Sequence, residues 1–282
     1  MSESVNHRNL ITFLTDFGLT GGYVAACEAT ILSIAPHSRV LHLSHELELG
    51  DVRWGSTVLA RVAPLGPICI HLAVVDPGVG TERHPVVLIA NRGDILVGPD
   101  NGLLIPAIDA LGGLREAWLL QPGRLRARAA LPPGQISSTF HARDVFAPAA
   151  ALVSAGTPMT DLGVPLDAAT LVRVAATAFE ANAEGLLAEV LEVDRFGNVG
   201  LSARFDDCPI PTASVTIEVV GEGLPDWNAR VVRTFGELGS GELGVYRDAW
   251  GQVALALNGA SAAELLAVDR GMVIRITPRD GS

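Results

Sequence analysis

Eight residues in a row, Ile68-Cys69-Ile70-His71-Leu72-Ala73-Val74-Val75, carry no acid, Lys or Arg, and the run then stops at Asp76-Pro77-Gly78. An unbroken apolar stretch of this length does not alternate as a half-solvated strand does. It reads as a strand buried on both faces, the kind found in sheets covered by helices on either side. Asp-Pro-Gly forces a turn, which puts Asp76 at the carboxyl end of the strand. Ligands of open α/β sheets bind outside those ends, so Asp76 is a candidate site residue. Arg83, seven residues on across a Gly-bearing turn, is placed to fold back and pair with it. The same residues also suit a plain turn, with Asp76 capping it and Arg83 in solvent.

The chain around this run repeats a β-α-β-α-β rhythm. Residues 10–15 read as a strand ending in Asp16-Phe17-Gly18, 21–35 as a helix stopped before Pro36, 39–43 as a strand and 51–62 as a helix. After Asp76 come strands at 85–90 and 94–97, joined by Asn91-Arg92-Gly93. Gly98-Pro99-Asp100-Asn101-Gly102 then opens a helix to about residue 111. This alternation predicts an α/β domain with a mostly parallel sheet covered by helices. Residues 124–138 show little periodicity and lead into Thr139-Phe140-His141-Ala142-Arg143-Asp144, just before a helix at 145–155. From Thr157 the texture changes through Pro158, Gly163, Pro165 and an Ala-rich stretch. The expected domains are therefore 1–166, a linker at 167–182, and 183–282. In the second, short β-rich runs at 185–194, 213–220, 231–234, 243–246, 253–257 and 272–277, with one helical stretch at 260–266, predict a small all-β barrel or sandwich.

A net charge of -11, with Arg supplying every basic side chain, argues against nucleic acid or an anionic membrane surface as partner and leaves a small molecule. Residues 1–9 are polar, and no apolar run approaches the ~20 residues of a membrane span, so a cytoplasmic protein is expected. Cys27, Cys69 and Cys208 are far apart and lack metal-type spacing, so neither a disulfide framework nor a zinc site is expected. Asp76, Arg83 and His141, if they converge, could hold and deprotonate one water, the guanidinium keeping the carboxylate ionised. A lone His also suits a helix cap or a core. Phe196 and Asn198, in Asp194-Arg195-Phe196-Gly197-Asn198, offer an aromatic face and an amide for a purine ring, or only a tight turn with an apolar neighbour.

Taken together, Thr15-Asp16-Phe17-Gly18, Val75-Asp76-Pro77-Gly78-Val79-Gly80-Thr81 with Arg83, Gly98-Pro99-Asp100-Asn101-Gly102, Thr139-Phe140-His141 with Arg143-Asp144, and Phe196-Gly197-Asn198 form an ordered set. The set resembles the S-adenosyl-L-methionine hydroxide adenosyltransferases, also called S-adenosylmethionine hydrolases, relatives of fluorinase and chlorinase. The resemblance extends to Asn258-Gly259 and Ser261-Ala262-Ala263. It implies a Rossmann-like N-terminal domain, a β-barrel C-terminal domain, and a homotrimer with active sites between subunits. Water would attack the ribose C5′ of the adenosyl substrate without metal or cofactor. By the same resemblance Asp76, Arg83 and His141 are catalytic, Asp16 takes the ribose hydroxyls, Phe196 and Asn198 hold adenine with the Asn258-Gly259 backbone, and Asp194 is left as a partner for the substrate ammonium. The chain departs from the family at Gly21, where Asp is common, and at Ala249, where Ser is common; both positions belong to the methionine end.

A halogenase would want Tyr at Asp76, Thr at Val79 and Ser at Ala142, and a halide would meet the carboxylate of Asp76 with like-charge repulsion. Two further alternatives are an adenosyl hydrolase acting on another 5′ leaving group and a non-catalytic adenosyl-ligand binding protein.

Overall fold

Residues 9–129, 136–175, 177, 179–208, 210 and 214–279 are described by a computed structural model. The polar start at 1–8, residues 130–135 of the aperiodic stretch and residue 213 of an expected strand lie outside the described residues. The chain divides into two compact units, Met1–Val174 and Ala175–Ser282.

In the first unit, β1 (Leu10–Thr15), α1 (Tyr23–Ile34), β2 (Arg39–Ser44), α2 (Val52–Val62) and β3 (Ile70–Val74) follow the expected rhythm. Then come β4 (Pro85–Ala90), β5 (Ile95–Pro99), α3 (Ile105–Ala110), β6 (Leu114–Leu120), α4 (Pro122–Ala129), α5 (Ala147–Ser154), α6 (Met159–Leu162) and β7 (Gly163–Pro165). The sheet order is β2-β1-β3-β5-β4-β6-β7. The strands β2, β1, β3 and β5 pair in parallel, and β6, antiparallel to β4, points the same way, so the sheet is mostly parallel.

Every residue of β3 is buried. Its side chains alternate between two cores: Ile70, Leu72 and Val74 join α1 and α5, while Ala73, with Val75 just beyond the strand, joins α2 and α3. Burying each large side chain of this kind contributes roughly 1.5–3 kcal/mol. The Ala-rich helix α5 is buried along its whole length, its small residues allowing a close approach to the sheet. The helix before it starts earlier than expected, with a π turn over Ala142–Phe146. Such single wide turns are rare and concentrate at functional sites.

The second unit contains β8 (Phe179–Asn182), β9 (Gly185–Val193), β10 (Val199–Arg204), β11 (Ser214–Val219), β12 (Trp227–Val231), β13 (Leu243–Arg247), β14 (Gln252–Leu257), α7 (Ala262–Leu266) and β15 (Val273–Pro278). Strands β10-β14-β13-β12-β11-β15-β9 close into a barrel through β9 and β10, and β8 is added to β9. Alternation drives the closure: Leu186, Ala188 and Val190 of β9 and Val215, Ile217 and Val219 of β11 point into one core. The run expected at 231–234 is only the end of β12. Among the described residues no helix is long and apolar enough to cross a membrane.

Candidate functional site

Parallel pairing of β1 and β3, with Thr15 opposite Val74, brings Asp16 and Asp76 to the same carboxyl edge. Beyond that edge the chain turns through Asp76–Arg83, and Arg83 folds back as its spacing suggested. Its Nε donates to both carboxylate oxygens of Asp76 at 2.9 and 3.1 Å, and its Nη2 also donates to Asp76 Oδ2. The same Nη2 lies 2.9 Å from His141 Nδ1. The pair is shielded from water, with side chains 5% exposed for Asp76 and 9% for Arg83, and the guanidinium rests 5.0 Å from the centre of the Phe146 ring. Asp76, Arg83 and His141 thus meet, with Arg83 in the middle.

A guanidinium donates hydrogen bonds and accepts none. The nitrogen of His141 that faces it is therefore the acceptor, and the neutral ring carries its proton on Nε2. Burial, and after it the Arg83 charge, hold the His141 pKa below the ordinary imidazole value.

Two local features bring His141 to the turn. Gly80 has φ +78°, and a Cβ there would stand 2.4 Å from the Ser138 carbonyl oxygen, so the two loops touch only because residue 80 has no side chain. Asp144 anchors the segment: Arg143 donates to it at 2.7 and 3.0 Å, and the Ser137 backbone N–H at 2.8 Å. Burial alone would raise the Asp144 carboxyl, but these donors hold it below its ordinary value. The sequence motif contained Arg143-Asp144 without assigning it this task.

Asp16 accepts the Gly50 N–H at 2.8 Å on one oxygen. Its neighbour Phe17 packs edge-on against Phe140 and Tyr23, with centroids 6.0 and 6.3 Å apart, and Tyr23 meets Phe140 at 5.1 Å. These three rings tie the Asp16 turn to the His141 loop, a contact that no spacing in the sequence signals. A Cβ on Gly21 would come within 2.8 Å of two Tyr23 ring carbons, so that ring occupies the space over residue 21.

The second unit holds a cavity of about 830 Å³ lined by Asp194, Phe196, Asn198, Asn258 and Gly259, all singled out from sequence, together with Ala249. Asp194 Oδ1 accepts the backbone N–H groups of Phe196 and Asn198 at 2.8 and 2.9 Å, and Oδ2 accepts the Asn198 side-chain amide at 2.8 Å. Asp194 therefore shapes the turn that presents Asn198. Gly197, at φ +78°, lets this turn lie against Ser261, whose hydroxyl a Cβ would overlap at 2.1 Å. The Asn258 side-chain N–H donates to the Leu238 carbonyl at 2.6 Å, which fixes this residue at the cavity wall beside Gly259. Phe235, Tyr246 and Trp250 add aromatic walls that sequence reading had not assigned. Burial, then the nearby Asp194 charge, pushes the Tyr246 phenol up to about 12, which keeps it a neutral donor.

One cluster among the described residues has metal-like proximity: Cys69, His71 and Asp94, within 4.8 Å of one another. It lies at the amino ends of β3 and β5, opposite Asp16 and Asp76. Arg92 donates to both Asp94 oxygens at 2.7 and 2.9 Å, and Asp94 Oδ1 also meets the Cys69 N–H and His71 Nε2. Burial, and then Asp94, pushes the Cys69 thiol up to about 12. A carboxylate already filled by a guanidinium beside a protonated thiol is a poor donor set for a cation, and the cluster is a polar knot in the core.

An α/β unit with an Asp-Arg-His line at its strand edges, the Asp76 and Arg83 side chains shielded from water, followed by a barrel unit with an aromatic and amide-lined cavity, defines a two-domain small-molecule enzyme class. The N-terminal domain of the SAM hydroxide adenosyltransferases matches residues 11–163 and their C-terminal domain matches residues 188–275. The chain belongs to this family. It is 45% identical over 268 residues to the (R)-S-adenosyl-L-methionine hydrolase of Salinispora tropica, covering 95% of this chain and 97% of that one. A fluorinase from Actinopolyspora mzabensis is more distant, 26% identical over 309 residues, covering 98% of this chain and 99% of that one. Among solved structures, an uncharacterized conserved protein from Thermotoga maritima superposes with a TM-score of 0.85 at 33% identity, covering 95% of this chain and 100% of that one.

Proposed function

We propose that the protein hydrolyses S-adenosyl-L-methionine to adenosine and L-methionine, with the (R)-sulfonium epimer named for its relatives as the preferred substrate. The observation that carries this reading is the Asp76-Arg83-His141 line at the strand edge. One water accepts a hydrogen bond from His141 Nε2–H, directs a proton at Asp76, and keeps a lone pair for C5′. As the O–C5′ bond forms, the C5′–S bond breaks and its electron pair goes to sulfur, leaving a neutral thioether. The oxygen's extra proton passes to Asp76 and then to solvent. A neutral leaving group needs no general acid, and the chemistry calls on no cofactor; positioning in a water-poor pocket supplies the rate. Arg83 orients both partners. Asp16 takes the ribose hydroxyls, Phe196 stacks on adenine, and Asn198 turns its amide oxygen to the adenine amine because Asp194 holds its N–H side.

In this reading the protein is a homotrimer in which the first unit of one copy and the barrel cavity of another complete each site, as the family resemblance implies. Asp76 also separates the reading from halogenation, since a halide would approach its charge.

The test is incubation with each sulfonium epimer and chromatography for adenosine and methionine. Both products are expected, faster from the (R) epimer. A saturable rise in melting temperature without products would contradict the reading and make the protein a binder.

A further inference from the structure

Two imidazoles near the Asp16 turn have no part in the chemistry above. His45 lies in the loop after β2, only 4% exposed, and its Nδ1 is 2.8 Å from the hydroxyl of Thr15, which is fully buried. Its other nitrogen, Nε2, is 2.7 Å from His42 Nδ1, and His42 Nε2 faces Glu28 Oε2 on α1 at 3.5 Å. At the inner end, Thr15 Oγ1 receives the Phe17 N–H at 3.3 Å, and the His45 carbonyl accepts the Gly18 N–H at 2.7 Å. His45 thus grips both sides of the turn that carries Asp16 and Phe17, by its ring on one side and its backbone on the other.

The contacts admit one arrangement of protons that satisfies every group. Glu28 is an acceptor, so His42 carries its proton on Nε2 and offers Nδ1 as an acceptor. His45 must then donate from Nε2 and accept on Nδ1, and the Thr15 hydroxyl donates to it while receiving the Phe17 N–H. The reverse order would set the bare His42 Nε2 against a carboxylate and leave a buried hydroxyl proton without an acceptor, which is unfavourable. Burial, and then the neighbouring His42, pushes His45 down to about 4, in keeping with a neutral His45 ring.

We infer that His45 is a positioning residue for Asp16, holding the Thr15–Gly18 turn through a one-way hydrogen-bond line whose direction is set at the surface by His42 and Glu28. The inference rests on the proposed function for the role of Asp16. The line reaches substrate only through that turn: it fixes where the Asp16 carboxylate stands and where the Phe17 ring meets Phe140 and Tyr23. His45 itself touches no reacting atom.

The test combines amide exchange with kinetics on His45→Ala, His45→Asn and His42→Ala in the full-length protein. In His45→Ala the Phe17 and Gly18 amides should exchange at least ~10-fold faster, and KM for S-adenosyl-L-methionine should rise about tenfold with kcat within a few-fold, the pattern of lost uniform binding. In His45→Asn, whose amide can stand at the Nδ1 position, most of both effects should be recovered. His42→Ala, which cuts the line at an exposed residue, should fall between parent and His45→Ala. Adding His45→Ala to Asp16→Ala should raise KM no further than Asp16→Ala alone, because one effect acts through the other.

Unchanged Phe17 exchange in His45→Ala, or KM effects that multiply in the double variant, would overturn the inference. If His45→Ala does not fold, the same amides in His42→Ala and His45→Asn decide it. If the parent protein turns over no substrate, the proposed function fails, while the amide exchange still decides whether His45 holds the turn.

Discussion

Arg83 donates to Asp76 and to His141 at once, and this divides the work between them. Asp76 keeps lone pairs for a proton; His141, with Nδ1 engaged, presents an N–H. Asp76→Ala and His141→Ala are each expected to lower turnover at least ~100-fold, the scale of a lost proton acceptor or orienting group, with substrate binding largely kept. Single-turnover rates equal to the parent in either variant would remove these residues from the mechanism. The pH dependence has a definite sign. His141 works as the neutral ring, and its folded pKa lies below the ordinary 6.5, so it stays neutral as pH falls through 6.5 and gains a proton only at lower pH. The acid limb of kcat/KM is expected below pH 6.5, and a limb centred above it would contradict a half-buried, Arg-facing His141.

Gly21 is the other informative residue. Its φ lies outside the left-handed region, so the backbone accepts a side chain there, but the Cβ would press on the Tyr23 ring, which is about half exposed and must shift against Phe17 and Phe140 to make room. Gly21→Asp is therefore expected to fold and to lower KM about tenfold, or ~1.4 kcal/mol, by pairing with the substrate ammonium. An unchanged or higher KM in a normally folded variant would point to a different 5′ leaving group.

At the scale of elements, legibility followed burial. β1, β3 and β5 are almost wholly buried, so their apolar runs stand out, and the sequence alone puts Asp16 and Asp76 at strand edges. β6 shows mixed exposure with Arg115 and Glu116 inside it and carries no clean period, whereas β12 does alternate, Trp227, Ala229 and Val231 against exposed Asn228 and Arg230, a signal that the run expected at 231–234 overlooks. The π turn at Ala142–Phe146 is flanked by the Ser137–Asp144 hydrogen bond and the Phe17–Phe140 ring contact, and no residue pattern in the sequence marks it. Sequence could nominate His141 but not show it reaching Arg83, 58 residues away.

That approach depends on Gly80. Gly80→Ala combines a left-handed φ with a Cβ 2.4 Å from the Ser138 carbonyl, and pushing the loops apart is expected to destabilise the unit by ~1–3 kcal/mol. Turnover should fall at least ~10-fold because His141 moves with Ser138. Thermal unfolding and kcat measured together check this; parent-like turnover would show that the loop contact does not place His141.

At the scale of the whole molecule, the Asp-Arg-His line and the aromatic cavity belong to different units, and the proposal joins them across copies. Asp76→Ala and Asn198→Ala proteins, each inactive alone, are expected to regain part of the parent activity when mixed under subunit exchange, since some sites then pair an intact first unit with an intact barrel. No recovery in verified mixed oligomers would place each complete site within one chain.

Attack of water at C5′ leaves its oxygen on the product, so turnover in 18O-labelled water reads the reaction out. Mass spectrometry of the products should find one labelled oxygen at the 5′ position of adenosine and none in methionine. Adenosine without label, or a 5′ product other than the alcohol, would contradict the account.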